Sequence, residues 1–411
     1  MTITVAKRCT SRFFGQVMAS TAIAAFAPCI VLAAESDHSF EIYGFAQADF
    51  IQDFGGRLDP SWDDAFRPSK IGIDGAYGSD GQSSISVKQS RFGVKGQMPT
   101  GGDKPISFKF EFDLFGTGAD AGQTTFRLRH MYGEWGALLA GQTNSLFMDG
   151  DVFPNTIDYW GPAGMVFYRN VQIRWTPVRL DKRQFAIAIE RPGNDVDSGN
   201  IRLVEGFEDA ELQNDETMPD ITAQWRMNGD WGHFQAAGIL RKVGYEFRES
   251  SGDSWNSGSE SGWGINLGSS INVFGSDKLL LQVVYGEGIA SYMNDGGMDL
   301  APQVQATTPI LDVAAQAVPL TGVVAYYDHY WNEKWSSSIG YSYTEVDNTN
   351  FQDGSAFRKG EYASVNLLVT PAKNIMMGGE LLWGKRTNND GRSDDAMRFQ
   401  FTVKYNFSSV L

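Results

Sequence analysis

Apolar and polar residues alternate with a period of two along most of the chain from residue 40 onwards. In the clearest run, residues 106–114, five apolar side chains face one way and four polar ones, including Lys109, Glu111 and Asp113, face the other. This is the period of a β-strand, whose successive side chains point to opposite faces. The pattern predicts sixteen strands, over residues 40–50, 84–96, 105–114, 124–135, 137–144, 169–177, 184–190, 218–228, 232–248, 261–272, 279–290, 322–330, 335–346, 361–370, 375–386 and 395–407.

The connections between these runs alternate between long and short. The long ones are residues 51–83, 145–168, 191–217, 291–321 and 347–360, and the short ones include 228–230, 274–277, 332–334 and 371–374. A globular sheet also alternates apolar and polar residues, so the rhythm of the connections decides between the two folds. An even number of strands with tight turns at one end and long loops at the other is typical of bacterial outer-membrane barrels. We therefore predict an all-β fold, a transmembrane antiparallel barrel of 16 strands.

The N-terminal segment has the composition of a signal peptide. Lys7, Arg8 and Arg12 precede an apolar run over residues 17–32, and the small residues Ala33 and Ala34 follow it. The apolar run is short for a transmembrane helix, which needs about 20 residues. We expect residues 1–34 to be removed, with cleavage after Ala33 or Ala34, and residues 35–411 to form the barrel domain.

Charge and cysteine content narrow the possible functions. Without residues 1–34 the chain has 31 Lys and Arg against 49 Asp and Glu, a formal charge of −18, which excludes a nucleic-acid binder. Both cysteines, Cys9 and Cys29, lie in the signal segment, so we expect neither disulfides nor structural zinc. The acidic residues lack the spacing of a dedicated calcium site, and we predict no metal and no cofactor.

Sixteen strands enclose a lumen too wide for side chains to fill, so the segment that narrows it decides what passes. Residues 145–168, rich in aromatic residues, Pro and Gly, are the candidate, and we expect this third long loop to fold into the lumen. Packing between subunits is the alternative. The acidic residues of segment 145–168 are Asp149, Asp151 and Asp158. Strand parity predicts a basic wall opposite them, formed by Arg91, Lys109, Arg127, Arg129 and Arg174.

Rings of Arg and Lys select anions, although charged side chains also serve simply to wet the inner wall. His130 and Tyr132 depart from this pattern, because they share the parity of lipid-facing Phe126 and Leu128. A histidine facing lipid is costly unless it is covered. Either the early strands pack against another subunit, or a β-bulge shifts the parity.

Seven stretches carry a family resemblance: Glu41–Asp49, Gln89–Val94, Phe110–Phe115, Gln123–His130, Tyr132–Trp135, Gly141–Thr143 and Phe153–Pro162. They resemble the DcaP-like outer-membrane porins, strongly over residues 40–177 and diffusely afterwards. The resemblance implies a homotrimer of 16-stranded barrels with the third loop folded inside. It also implies a basic constriction that favours small anionic solutes such as dicarboxylates. Arg91, Arg127 and Arg129 lie within the matching stretches.

The resulting hypothesis is a passive porin of the outer membrane. Its expected partners are small anionic solutes, outer-membrane lipid and lipopolysaccharide, and the barrel-assembly machinery, which would recognise the alternating C-terminal run that ends at Phe407. A monomeric, gated, substrate-specific channel is the alternative. A barrel hydrolase is disfavoured, because the sequence has four histidines and neither a G-x-S-x-G nor an H-E-x-x-H motif. A secreted carbohydrate-binding sheet would not need sixteen strands with alternating connections.

Overall fold

The computed structural model of the protein describes residues 38–61, 64–116, 125–205, 207–248, 254–306 and 312–411, so the predicted signal peptide lies outside the described residues. No helix in these residues is long and apolar enough to cross a membrane. The strands are β1 Ser39–Gly55, β2 Ser83–Ser86, β3 Arg91–Met98, β4 Ile106–Gly116, β5 Thr125–Trp135, β6 Leu138–Asn144, β7 Arg169–Leu180, β8 Arg183–Glu190, β9 Glu211–Asp215, β10 Asp220–Gly229, β11 Gly232–Arg248, β12 Asn256–Asn272, β13 Lys278–Glu287, β14 Leu300–Ala306, β15 Asp312–Ala317, β16 Pro319–Tyr330, β17 Trp335–Val346, β18 Phe357–Ala372, β19 Ile375–Asn388 and β20 Ser393–Val410. Short 3₁₀ helices cover Pro68–Lys70, Ile73–Gly75, Gly150–Val152, Ile201–Leu203 and Ala290–Tyr292.

Sixteen strand positions form one closed antiparallel barrel. The first strand, β1, pairs with the last, β20, from Glu41 opposite Val410 to Gly55 opposite Met397, and this pairing closes the sheet. Strands β2 and β3 both pair with β1 and are two segments of one barrel strand. Strand β9 pairs with residues 244–248 of β11. Strands β14 and β15 form a separate hairpin within the long connection between β13 and β16. In the described part of the chain, closure leaves the sheet without an edge strand, as a bilayer requires.

All sixteen predicted runs coincide with barrel strands, and the predicted fold is confirmed. The main differences lie at strand ends. Strand β12 begins at Asn256, whereas the prediction began at residue 261. Its first residues are mainly Asn, Ser and Gly and carry no apolar alternation, so the sequence pattern did not reveal them. Strand β20 continues beyond Phe407, and its residues 408–410 pair with residues 41–43 of β1. The four residues that follow Phe407 therefore do not disturb the barrel.

On β7, polar residues face inward and apolar residues face outward, which is the reverse of a soluble protein. On β7, Val171, Ile173 and Trp175 are 47%, 65% and 52% exposed, whereas the intervening Gln172 is buried. An outward apolar band of this kind is the surface that a transmembrane barrel presents to lipid. Because neighbouring strands are antiparallel, the connections at the end that also carries residues 41 and 410 are short. The other end carries the long connections together with the four-residue turn 389–392 between β19 and β20.

A β-bulge at Arg129 reverses the side-chain parity of β5. Glu111 pairs with His130, but the next residue of β4, Phe112, pairs with Leu128, so Arg129 is the extra residue. Because of this shift, Arg129 and His130 are both buried on the inner side, and the His130 ring nitrogen Nδ1 lies 3.0 Å from the hydroxyl of Thr143. Of the two explanations for His130 and Tyr132, the bulge is the one that the strand contains. These residues therefore give no indication of a subunit contact.

Residues 145–168 connect β6 and β7 but contact strands that are distant from them in the barrel order. Inward-facing side chains donate hydrogen bonds of 2.7–2.9 Å to backbone carbonyls of this segment; the donors are Gln235 of β11, Asn266 of β12, Thr344 of β17 and Asn366 of β18. The apolar side chains of the segment, such as Phe147 and Met165, are fully buried against wall residues such as Val284 and Val324. The segment thus has the packed character that its composition predicts.

Candidate channel constriction

Two arginines of β5 share the carboxylates of β4. Arg127 donates from Nε and Nη2 to the two Asp113 oxygens, at 3.0 and 2.6 Å. Arg129 donates from Nε to Glu111 at 2.8 Å and from Nη1 to Asp113 at 2.9 Å. The hydroxyl of Tyr159, which belongs to residues 145–168, contacts both guanidinium groups. These two arginines were predicted from parity, and the acids beside them balance much of their charge locally.

Lys109 and Arg174 also lie on the inner side of the wall. The Lys109 ammonium is 3.2 Å from a Glu111 carboxylate oxygen. Arg174 donates to the side-chain oxygen of Gln172 at 2.9 Å and to the carbonyl oxygen of Asn144 at 2.6 Å. Neither residue lines the three cavities described below. Their role in a constriction therefore stays a prediction.

Three further cations rest on aromatic rings instead of carboxylates. The Arg91 guanidinium lies 5.2 Å, and the Lys404 ammonium 3.9 Å, from the centre of the Phe45 ring. Arg169 lies 5.1 Å from the centre of the Phe167 ring. None of these three cations forms an ion pair with a carboxylate in the described part of the chain. Two of their buried nitrogens, Nε of Arg91 and Nη1 of Arg169, have no hydrogen-bond partner there.

Arg169 and Lys404 were not predicted as site residues. Lys404 shares its inward parity with Arg398, Gln400 and Thr402, all buried, so the alternation of the last run contained the signal. Regular alternation would have placed Arg169 on the outer face, because it lies two residues before outward-facing Val171. It stands where the loop enters β7, and the regular alternation does not extend to that position.

Asp149 and Asp151 lie against Arg226 and His233. Asp149 is buried, 2.7 Å from Nε2 of His233 and 3.5 Å from Arg226, while Asp151 accepts from Arg226 at 2.5 Å. Asp149, Asp151 and His233 are close enough together to hold a metal ion. The Arg226 guanidinium already occupies the carboxylates, however, so this cluster is better suited to fixing the beginning of residues 145–168 to β10 and β11.

Three adjoining cavities run through the inner side of the barrel. The outermost measures about 710 Å³ and shares Trp160, Met293 and Asn294 with a middle cavity of about 310 Å³. The middle cavity shares Tyr159, Phe167 and Arg169 with an inner cavity of about 280 Å³. The charged residues that line the cavities change from the outermost cavity to the innermost one. Outermost are Arg67, Lys70, Arg386, Asp195, Asp197, Asp295 and Asp353; in the middle are Arg127 and Arg169; innermost are Arg91, Arg129, Arg169, Lys404 and Asp158.

The acids of the outermost cavity differ in their surroundings. Burial, together with the nearby carboxylate of Asp299, raises the pKa of Asp195, which lies in the connection between β8 and β9. Asp295 accepts hydrogen bonds from the backbone N–H and the hydroxyl of Ser69 and lies 3.6 Å from Arg67. The outermost cavity is therefore of mixed charge, with no sign dominating.

The family model of the DcaP outer membrane protein matches residues 31–407, nearly the whole chain. The chain belongs to the DcaP outer membrane protein family. It is thus an outer-membrane porin by family and by fold. No curated protein sequence matches the chain.

Solved structures with the same fold agree with this assignment. The outer membrane channel DcaP of Acinetobacter baumannii is 22% identical, with a TM-score of 0.72 over 90% of this chain and 97% of that one. OmpT of Vibrio cholerae is 11% identical, with a TM-score of 0.52 over 92% of this chain and all of that one. An anion-selective porin from Comamonas acidovorans is 11% identical, with a TM-score of 0.52 over 91% of this chain and all of that one.

In this DcaP family member, two buried carboxylates fix the middle of residues 145–168. Glu380 of β19 accepts hydrogen bonds from two consecutive backbone N–H groups of the segment, both at 2.9 Å. Asp158 accepts from the backbone N–H groups of Phe66 and Gly161, also both at 2.9 Å. Asp158 was predicted to face the basic wall, and it does line the inner cavity, but neutral donors hold both of its oxygens. Nothing in the sequence distinguishes Glu380, because it is one inward acid among many.

Proposed function

We propose that this porin is a passive diffusion channel for small hydrophilic anions, which enter the periplasm through the three adjoining cavities. The observation that carries the proposal is the change in lining charge. Four acids and three cations line the outermost cavity, whereas four cations and one acid line the innermost. Cationic side chains around a narrow passage favour anions. Residues 145–168 supply part of the lining of all three cavities and would narrow the passage.

Related proteins support the finer parts of the proposal. The Comamonas acidovorans porin is described as anion-selective, and one Vibrio cholerae OmpT structure is of a trimer form. We extend both properties to this chain as proposals, together with a preference for dicarboxylate-like solutes. Export would depend on residues 1–34, cleaved after Ala33 or Ala34.

The test is the reversal potential of the detergent-extracted protein in a planar bilayer under a salt gradient. We expect an anion-selective potential and conductance that appears in three equal steps, one for each subunit of a trimer. Cation selectivity would overturn the anionic-solute proposal and leave the fold assignment intact. Single-step insertions would instead support a monomeric channel, and the absence of conductance from folded protein would contradict passive diffusion.

A further inference from the structure

A cavity of about 280 Å³ lies among the long connections, apart from the three cavities of the passage. Its walls are the connection between β8 and β9 together with β9, the end of β11, and the hairpin of β14 and β15. We call it the mouth cavity, because the end with the long connections is the extracellular end of outer-membrane barrels. It shares Asp197 with the outermost cavity of the passage and no residue with the other two.

Hydrogen bonds between the walls fix the shape of the mouth cavity. The side-chain amide of Asn194, in the connection between β8 and β9, donates to the carbonyl oxygen of Gly244 in β11 at 2.9 Å. The backbone N–H of Asp197 donates to the carbonyl oxygen of Leu300 in β14 at 2.8 Å. Val196 and Leu300 also form a parallel β-bridge. The cavity is therefore largely preformed, as small-molecule sites usually are.

Apolar side chains form most of the lining of the mouth cavity. Aliphatic residues contribute from each wall, among them Val204, Leu212 and Leu300. Leu300 is fully buried and packs in one cluster with Val243 of β11. Apolar walls offer water few hydrogen bonds, so a ligand with an apolar body gains free energy by entering such a cavity.

Three aromatic rings also line the mouth cavity. They belong to Phe207, in the connection between β8 and β9, and to Tyr245 and Phe247 of β11. The centre of the Phe247 ring lies 6.3 Å from the centre of each of the other two rings. Tyr245 and Phe247 follow the inward parity of buried Val243, so β11 places both rings on its inner face. Grouped aromatic faces attract organic cations, and quaternary ammonium ions are commonly recognised in this way.

The one charged residue among the described residues that line the mouth cavity is an acid, Asp197. Its oxygens accept hydrogen bonds from the backbone N–H of Gly199 at 2.8 Å and from the side-chain amide of Gln352 at 2.7 Å. Both donors are neutral, so they orient the carboxylate without balancing its charge. Arg248, at the end of β11, forms an ion pair with Glu211. The lining thus presents a negative charge beside aromatic and aliphatic groups.

Further acids lie in the connection that forms one wall of the mouth cavity. Glu205, Glu208 and Asp209 are exposed there, close in sequence to one exposed arginine, Arg202. Exposed charges act over about one Debye length, about 8 Å at physiological salt, and raise the local concentration of ions of opposite sign. The surroundings of the mouth cavity therefore favour a cation, in contrast to those of the inner cavity.

We propose that the mouth cavity binds small organic cations that have an apolar body, such as quaternary ammonium ions. The aliphatic lining accommodates the body, and the three aromatic rings and the carboxylate of Asp197 attract the charged group. This site goes beyond the proposed function and does not depend on it, because the cavity lies apart from the passage. Benzyltrimethylammonium is a suitable probe, since it combines an apolar ring with a charge that no change of pH removes.

The experiment measures the binding of benzyltrimethylammonium to the detergent-extracted protein by ligand-observed NMR, with benzyl alcohol as the uncharged analogue. We expect the cation to bind about tenfold more tightly than the alcohol, because only the cation gains from the aromatic faces and the carboxylate. Asp197→Asn should remove most of this difference by weakening the binding of the cation alone. Asp230→Asn, in the exposed turn between β10 and β11 at the other end of the barrel, should change neither affinity.

The contribution of the aromatic rings is tested by a second set of variants. Phe247→Leu should weaken the binding of the cation about fivefold, whereas Phe247→Tyr keeps the ring and should retain the affinity. Phe274→Leu makes the same change at a 77% exposed position in the turn between β12 and β13 and should have no effect. Wild-type conductance of the Phe247→Leu channel would show that its barrel is folded, so that a loss of binding is not misfolding.

Three results would overturn the proposal. One is wild-type protein that binds benzyltrimethylammonium no more tightly than benzyl alcohol, or not at all. Another is a loss of affinity in Phe274→Leu as large as that in Phe247→Leu. A third is block of the chloride current by benzyltrimethylammonium over the concentrations at which it binds, because that would place the cation in the passage. A cation-selective wild-type channel would remove the proposed function and leave the mouth cavity as a binding site.

Discussion

At the residue scale, Asp113 is the acid that binds both arginines of β5, Arg127 and Arg129. It is 1% exposed and hydrogen-bonded to both Arg127 and Arg129, which is 5% exposed. Removing one partner of a buried ion pair leaves the other charge uncompensated. Asp113→Asn should therefore lower the free energy of unfolding by on the order of 3 kcal/mol, measured by urea unfolding in detergent. The exposed turn variant Asp230→Asn is the control, and equal stability of the two variants would contradict this account.

Single-strand parity predicted some site residues and not others. It identified Arg127 and Arg129 because two inward positions of one strand carry the same charge. It also contained Lys404, but nothing along β20 distinguishes that lysine from other inward polar residues. What makes it distinctive is Phe45 on β1, which becomes its neighbour only when the barrel closes. Contacts between strands far apart in sequence depend on register and closure, which one strand does not encode.

At the element scale, the strands were predictable because their outer faces must be apolar while many of their inner positions are polar. That contrast gives most strands a period of two. It is weaker on β13, where Leu280 and Val284 are apolar and face inward, in one buried cluster with Phe147 of residues 145–168. The period fails where the contrast ends, as in the Ser- and Gly-rich start of β12 at Asn256. It also fails at the bulge of Arg129, where an extra residue changes the face of every position that follows. The bulge was recognisable only as a conflict of parity at His130.

Gly164 determines how closely residues 145–168 approach the barrel wall. A Cβ atom at this position would lie 2.2 Å from the carbonyl oxygen of Tyr343 and 2.5 Å from that of Val323. Both are backbone atoms of barrel strands, so the segment itself would have to move. Gly164→Ala should alter single-channel conductance and lower thermal stability. A Cβ at Gly55 meets nothing within 4 Å, so Gly55→Ala is the matched control. If both variants conduct like the wild type, the segment does not pack as closely as described.

Glu380 anchors the same segment by a second, independent contact. Glu380→Ala would leave two buried backbone N–H groups unpaired, at about 1–3 kcal/mol each. We expect the segment to loosen, which should increase current fluctuations and expose residues 145–168 to proteolysis while the strands stay protected. Glu333→Ala, in the exposed turn between β16 and β17, should do neither. An unchanged proteolytic pattern in Glu380→Ala would show that the apolar contacts alone hold the segment.

At the scale of the whole molecule, the net charge and the proposed selectivity have opposite signs. The complete chain has a formal charge of −15, yet the inner cavity is lined by four cations and one acid. The excess acid lies elsewhere, including the outermost cavity and the connection between β8 and β10, where Glu205, Glu208 and Asp209 lie close together. Total charge governs solubility and long-range attraction, whereas selectivity depends on charges along the path. The two properties are therefore free to differ.

Raising the salt concentration separates the effect of the surface charges from that of the charges along the path. The Debye length is about 10 Å at 0.1 M salt and about 3 Å at 1 M, so concentrated salt screens exposed loop charges from the path. In the proposed function, the cations that line the inner cavity contact the passing ion directly, and such close contacts are screened much less. We therefore expect the anion preference, measured from reversal potentials at a fixed concentration ratio, to persist at about 1 M salt, where the opposing loop acids are screened. A preference that disappears at high salt would place its origin on the surface of the molecule instead of in the inner cavity.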